Sequence, residues 1–191
     1  YQILPLSLGS LLAAFVMAGL GAYPLLRDDP LEESLMFFLF CLSVFVWLFG
    51  FGWSYGAPSP ESALNWITVA YLGTPIIPAS IYTTATLVLG IGDRRRPFLV
   101  VGWMLAATFV LLLTGTPVLV EGIYQYSWGY YPEYSLWGLT FVAYVVLWVG
   151  GTVWEYWHQY QTASHADERQ RARAFCTAYA TGATAVVAFL P

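Results

Sequence analysis

The sequence predicts an all-α integral membrane protein: a single polytopic domain over residues 1–191, built as a bundle of six transmembrane helices with the N-terminus outside and a kinked third helix. Three observations predict it. Only 9% of the residues are charged and 59% are hydrophobic, with a mean hydropathy of +0.63, whereas a soluble domain carries about 25% charged residues. Apolar runs near 3–26, 34–55, 63–91, 97–120, 135–158 and 173–190 each approach the length, about 20 residues, that a helix needs to cross a bilayer. The seven basic residues, all arginine, fall only in alternate connections. Continuous apolar runs without strand alternation favour helices over a barrel, because lipid leaves no partner for an unpaired backbone group.

Span one (3–26) has no basic residue before it and Arg27 after it, so it reads as a retained helix rather than a signal peptide. The chain opens on Tyr1 rather than methionine, as expected of a trimmed or processed piece. Ser10, Ala14, Ala18 and Ala22 recur every four residues along one face. Such small-residue ridges let helix backbones approach closely where lipid offers no hydrophobic gain. Span two (34–55) has an uncharged centre.

Span three holds YLGTPIIPAS, with Pro75 and Pro78 in mid-helix. Each proline removes a backbone donor and crowds the preceding turn, so a kink is expected there. Two readings stand: a structural kink, or a small polar cavity lined by freed carbonyls with Thr74 and Ser80. Arg94, Arg95 and Arg96 follow, ahead of span four.

After span four comes VEGIYQYSWGYYPEY, with six aromatics between Tyr124 and Tyr134. Gly129 and Pro132 suit a fixed turn, so an ordered lid is expected. The segment is either an interfacial belt of amphipathic rings or a folded cap over an extracytoplasmic pocket, with Glu121 and Glu133 orienting a ligand. Span five carries Glu155 and His158, three apart on one face. That is a di-iron ligand spacing in helix bundles, but the second pair and further glutamates that the chemistry requires are missing, so the pair marks the end of the span. The segment 159–172 reads as a solvated extension of its neighbours. Span six repeats the small-residue ridge with Ala174, Ala178 and Gly182.

Arg27, the Arg94–Arg96 group and Arg169, Arg171 and Arg173 lie in alternate connections, while 56–62 and 121–134 contain no basic residue. The positive-inside rule therefore puts the three arginine-bearing connections in the cytoplasm and the aromatic segment outside.

Several function classes fall away. A net charge of −4 offers nothing to nucleic acid. No Gly-rich phosphate loop, nucleophile–His–acid set or Cys/His metal spacing occurs. The absence of lysine removes a retinal Schiff base. Cys41 and Cys176 both fall in apolar helices and read as small buried hydrophobes. No catalytic residue, metal or cofactor is expected, although bound lipid or pigment is compatible with the composition. The expected partners are the lipid bilayer and other transmembrane subunits or a second copy.

FFLFCLSVFVWLFGFG (37–52), NWITVAYLGTPIIPASIY (65–82) and GIYQYSWGYYP (122–132) resemble the seven-helix N-terminal membrane domain of prokaryotic sensor proteins, the histidine kinases and diguanylate cyclases. The resemblance runs over nearly the whole chain, through RQRARAF (169–175). Its most specific pieces are Trp66 with Tyr71-Leu72-Gly73 and the two prolines, and Trp128-Gly129-Tyr130-Tyr131-Pro132. Members carry a histidine after the tyrosine that closes the proline segment; here Tyr82 is followed by Thr83. A seventh helix would return the chain to the cytoplasm, and only six spans are present.

The resemblance implies a non-catalytic sensory input module in a prokaryotic cytoplasmic membrane, relaying a ligand or membrane signal to a cytoplasmic effector. Its candidate site residues are Trp66, Tyr71, Pro75, Pro78, Tyr82, Glu121, Tyr124, Trp128, Tyr130 and Tyr131. Two other readings remain open: a structural subunit of a larger photosynthetic or respiratory complex built on the same domain, and a small-molecule transporter. The transporter requires inverted repeats and broken helices near the midplane, and no repeat is evident.

Overall fold

A computed structural model describes residues 5–27 and 30–183. Its elements are α1 (Pro5–Leu25), α2 (Leu31–Tyr55), α3 (Pro60–Gly73), α4 (Ile76–Val88), α5 (Gly92–Gly115), β1 (Val120–Tyr126), β2 (Gly129–Tyr134), α6 (Gly138–Thr162) and α7 (Ala166–Ala183). Five helical segments are long and apolar enough to cross a membrane: α1, α2, the run Pro60–Val88 formed by α3 and α4, α5 and α6. At 1.5 Å per residue, the shortest, with 21 residues, spans about 32 Å. The all-α membrane bundle is therefore the observed architecture. The sixth span expected from the sequence, 173–190, is described only as far as Ala183, and its remainder lies outside the described residues. The described part of α7 opens on the charged run ADERQRAR.

Helix α2 is the hub, packed against α1, α3 and α4. Glycine permits that closeness: a Cβ on Gly50 would lie 2.6 Å from the backbone of both Trp66 and Ala70 on α3. Ser7 Oγ donates to the Gly52 carbonyl, tying α1 to α2. The buried positions of α1 are Ser7, Ala14 and Gly21. Of the small-residue ridge in span one, Ala14 is buried, while Ser10, Ala18 and Ala22 are half-buried. On α7, Ala174, Ala178 and Gly182 all face outward.

The third span is not one kinked helix but two helices joined at Thr74–Pro75. Both joint residues stay in right-handed helical conformation, at φ −53° and −70°, so the chain continues across the break without reversing. Proline 75 has no N–H for the helical bond to Tyr71, and proline 78 none for Thr74. The Thr74 carbonyl accepts instead from Ile77 N at 3.3 Å. Thr74 and Ser80 donate their hydroxyls back to Ala70 and to Ile76 and Ile77 of their own chain segment, rather than to a cavity.

Residues 120–134 form an antiparallel β-hairpin, where the sequence suggested a lid organised by turns. The strands pair Gly122 with Glu133, Ile123 with Pro132, Tyr124 with Tyr131 and Gln125 with Tyr130, with an irregularity between Val120 and Gly122. The turn falls at Ser127–Trp128; Pro132 sits inside β2. A two-stranded sheet tolerates proline because one side of each strand makes no ladder bonds. The expected 159–172 extension likewise resolves into α6 to Thr162, a short turn, and α7 from Ala166.

Candidate functional site

The hairpin is fastened to the bundle end formed by α2 and α3. Gly129 has φ +135°, a conformation that side-chain-bearing residues avoid. A Cβ there would lie 2.7 Å from the Tyr55 carbonyl oxygen at the end of α2. Glycine is needed at this position on both counts. Tyr71 OH donates to Tyr134 OH at 3.1 Å, joining α3 to β2. Ser135 closes the hairpin base, with its N–H on the Leu119 carbonyl and its hydroxyl on the Val118 carbonyl.

The aromatics form one continuous cluster. Phe51 of α2 meets Tyr55, Tyr71 and Tyr131; Tyr55 meets Trp128 edge-on at 5.8 Å; and Trp128 stacks on Tyr126 with centroids 4.9 Å apart. Edge and offset contacts of this kind contribute about 1 kcal/mol each beyond area burial, so the hairpin is held as a packed lid. On its outer side Tyr124 donates to Glu133 Oε1 at 2.8 Å, which raises the phenol's pKa. Burial pushes the Tyr131 phenol up to about 12, with Tyr55 and Tyr126 adding to the effect. Burial, then Tyr71, raises Tyr134 well above the usual tyrosine range.

In the folded lid Tyr124, Tyr131 and Tyr134 hold their phenolic protons more tightly than in an unfolded chain, whose tyrosines titrate near pH 10. The stability this contributes is fully present below about pH 10 and is lost as pH rises toward 12. Tyrosinate absorbance at 295 nm should show a late-titrating class, with tryptophan fluorescence changing in the same window. Tyr131→Phe should shrink that class. Titration of every tyrosine near pH 10 would mean that the hairpin is not packed this way.

The opposite end of the bundle, which bears the arginines, holds a second polar site. Arg95 Nε of α5 lies 2.7 Å from Glu155 Oε1 of α6, and the Glu155 side chain is only 7% exposed against 35% for Arg95. Tyr82 of α4 donates to the same carboxylate oxygen at 3.2 Å. Three helices thus meet on one carboxylate, and the ion pair with Arg95 together with the Tyr82 hydrogen bond offsets the cost of burying it. Aromatic contacts extend inward from Tyr82 to Phe98 at 5.0 Å and from Phe98 to Trp148, stacked at 4.3 Å. Trp148 meets Tyr144, whose hydroxyl donates to the Pro75 carbonyl at 2.9 Å. The helix break is therefore read directly by a side chain of α6. One turn of helix separates Pro75 from Tyr71, so contacts run from the lid to the Arg95–Glu155 pair.

The structure separates the sequence candidates into three groups. Tyr71, Trp128, Tyr130 and Tyr131 belong to the lid and its seat, with Tyr124 on its outer side; Glu121 is exposed. Trp66 lies apart, stacked on Trp53 at 5.8 Å. Pro75 and Pro78 are buried at the break, and Tyr82 belongs to the carboxylate site. Sequence reasoning did not single out Arg95, Glu155, Tyr144 or Trp148. Arg95 entered only as a topology charge, and Glu155 only beside His158, which is exposed. The available signal was a carboxylate within helical reach of a lipid-spanning run, a position that demands a partner. Among the described residues no three metal-ligating side chains converge.

Comparison with known proteins returns a family described as the N-terminal 7TM region of histidine kinase, matched over residues 10–190. No curated protein and no solved structure matches the chain.

Proposed function

The chain belongs to the N-terminal 7TM regions of histidine kinases, and on that premise we propose that it is a sensory input module of a prokaryotic cytoplasmic membrane, converting an event at the aromatic lid into a change at the arginine-bearing end. In histidine kinases this region is the input side rather than the catalytic one. The observation that carries the reading is the carboxylate site, where α4, α5 and α6 converge on Glu155. A polar contact among three helices is a discrete arrangement that exists or is broken, whereas an apolar contact slides. A signal needs such a two-state element, biased differently by the two conditions it reports. The α3–α4 break supplies a point where the lid end and the carboxylate end can move relative to each other, with Tyr144 as its latch.

The test joins the chain, through an added seventh transmembrane helix that returns it to the arginine-bearing side, to a reporter histidine kinase core and reads autophosphorylation in nanodiscs. Tyr82→Phe, Tyr144→Phe and Glu155→Gln should each shift basal autophosphorylation several-fold, and Trp128→Ala should shift it from the far end. Double-mutant cycles between Trp128 and Glu155 should show coupling above 0.5 kcal/mol, the level expected of linked positions. Well-folded variants that all leave the kinase unchanged would overturn the reading.

A further inference from the structure

The groove between the end of α6 and the first turns of α7 is lined by Tyr160 on one side and by Ala166, Arg169, Gln170, Arg173 and Thr177 on the other. The spacing of the α7 residues, at intervals of three and four, puts them on one helix face. Arg169 gives one guanidinium nitrogen to the Ala163 carbonyl at 3.1 Å, which fixes its head at the groove's rim. Among the described residues the only ion pair is Arg95–Glu155, so neither Arg169 nor Arg173 is neutralised. Asp167 and Arg171 line a neighbouring face of α7. From the rim, the outward-facing small residues Ala174, Ala178 and Gly182 leave a smooth strip along α7.

We propose that this groove binds the phosphate headgroup of an anionic phospholipid from the leaflet on the arginine-bearing side, with Arg169 and Arg173 on the phosphate oxygens, Tyr160 against the headgroup and one acyl chain along the small-residue strip. Guanidinium is suited to this because its fork of N–H donors matches phosphate oxygens in pairs. Two unpaired arginines on one face of a groove at the membrane surface form a place where an anion gains more than water does. The lipid is favoured over a free phosphate because the groove continues into an apolar strip that a soluble ion would leave empty. The proposal is independent of the sensory reading, since it concerns binding alone.

The test is native mass spectrometry of the whole chain, purified in mild detergent and titrated with phosphatidylglycerol or phosphatidylcholine. Phosphatidylglycerol is expected to bind about twenty-five-fold better, given roughly a factor of five for each of the two juxtamembrane arginines. Arg169→Gln with Arg173→Gln should reduce it to the phosphatidylcholine level, whereas Arg94→Gln and Arg171→Gln should leave it unchanged. Arg169→Lys with Arg173→Lys keeps the charge and should retain only part of the preference, which also guards against a double variant that fails to fold. Equal losses from Arg94→Gln or Arg171→Gln would reduce the effect to diffuse charge and overturn the site. Displacement of the lipid by millimolar inorganic phosphate would assign the groove to a soluble anion and overturn the lipid reading.

Discussion

Replacing Arg95 with methionine is expected to destabilise the folded protein by about 3 kcal/mol, because removing one partner of a buried pair leaves the other charge uncompensated. The loss is asymmetric. Glu155 is 7% exposed and cannot turn to water when Arg95 is gone, whereas Arg95 is 35% exposed and can. Glu155→Gln keeps an acceptor for the Tyr82 hydroxyl and releases Arg95 toward solvent, so its cost should be nearer 1 kcal/mol, the worth of a hydrogen bond. Arg94 and Arg96 are both exposed, and their methionine variants should change stability by less than about 0.5 kcal/mol. Unfolding of each variant by denaturant in mixed micelles provides the measurement. Similar losses for Arg94→Met and Arg95→Met would show that net charge, not the pair, is being read.

Gly50→Ala should cost about as much, near the 3 kcal/mol upper end of core overpacking, for a different reason. The added carbon would sit 2.6 Å from the Trp66 carbonyl oxygen and the Ala70 nitrogen. Both are backbone atoms of α3, so no side-chain rotation relieves the contact and the two helices must separate. Separation loosens the hub, because α2 also carries the lid through Tyr55 and Phe51. The control is Gly150→Ala, where nothing lies within 4 Å of the new carbon. There the change should be neutral or stabilising, by about 0.5–1 kcal/mol of helix propensity. Thermal unfolding in detergent, followed by far-UV circular dichroism, separates the two. Equal behaviour of the two glycine variants would contradict the close α2–α3 contact.

Each of these variants tests a feature that was legible to a different degree. Arg95 was visible as a charge beside a span, but its partner was not, since Glu155 lies 60 residues further along the chain and nothing local joins them. Gly50 sits in FFLFCLSVFVWLFGFG among large residues, and its contact with Trp66 and Ala70 depends on how α2 and α3 cross. Pro75 and Pro78 announce a kink in the sequence, because proline acts on its own turn whatever surrounds it. That the span divides into two helices is seen only in the structure, and the Tyr144 hydroxyl on the Pro75 carbonyl comes from α6. The aromatic segment was recognised as an ordered lid but not as a hairpin. Its strands alternate only weakly between buried and exposed, and the cross-strand pairing of Tyr124 with Tyr131 and of Ile123 with Pro132 overrides glycine and proline signals that locally suggest turns.

By itself, then, the sequence determined the medium, the approximate position of five spans and the end of the molecule on which the arginines lie. Lipid enforces those choices residue by residue: a run of about 20 apolar residues must close its own hydrogen bonds as a helix, and unpaired arginines must stay out of the hydrocarbon. Tertiary structure alone decided which helices share a carboxylate, where the lid is seated and which small residues face a neighbour. Those outcomes come from contacts between segments distant in sequence, where a glycine admits a neighbouring backbone and a buried charge must find its partners.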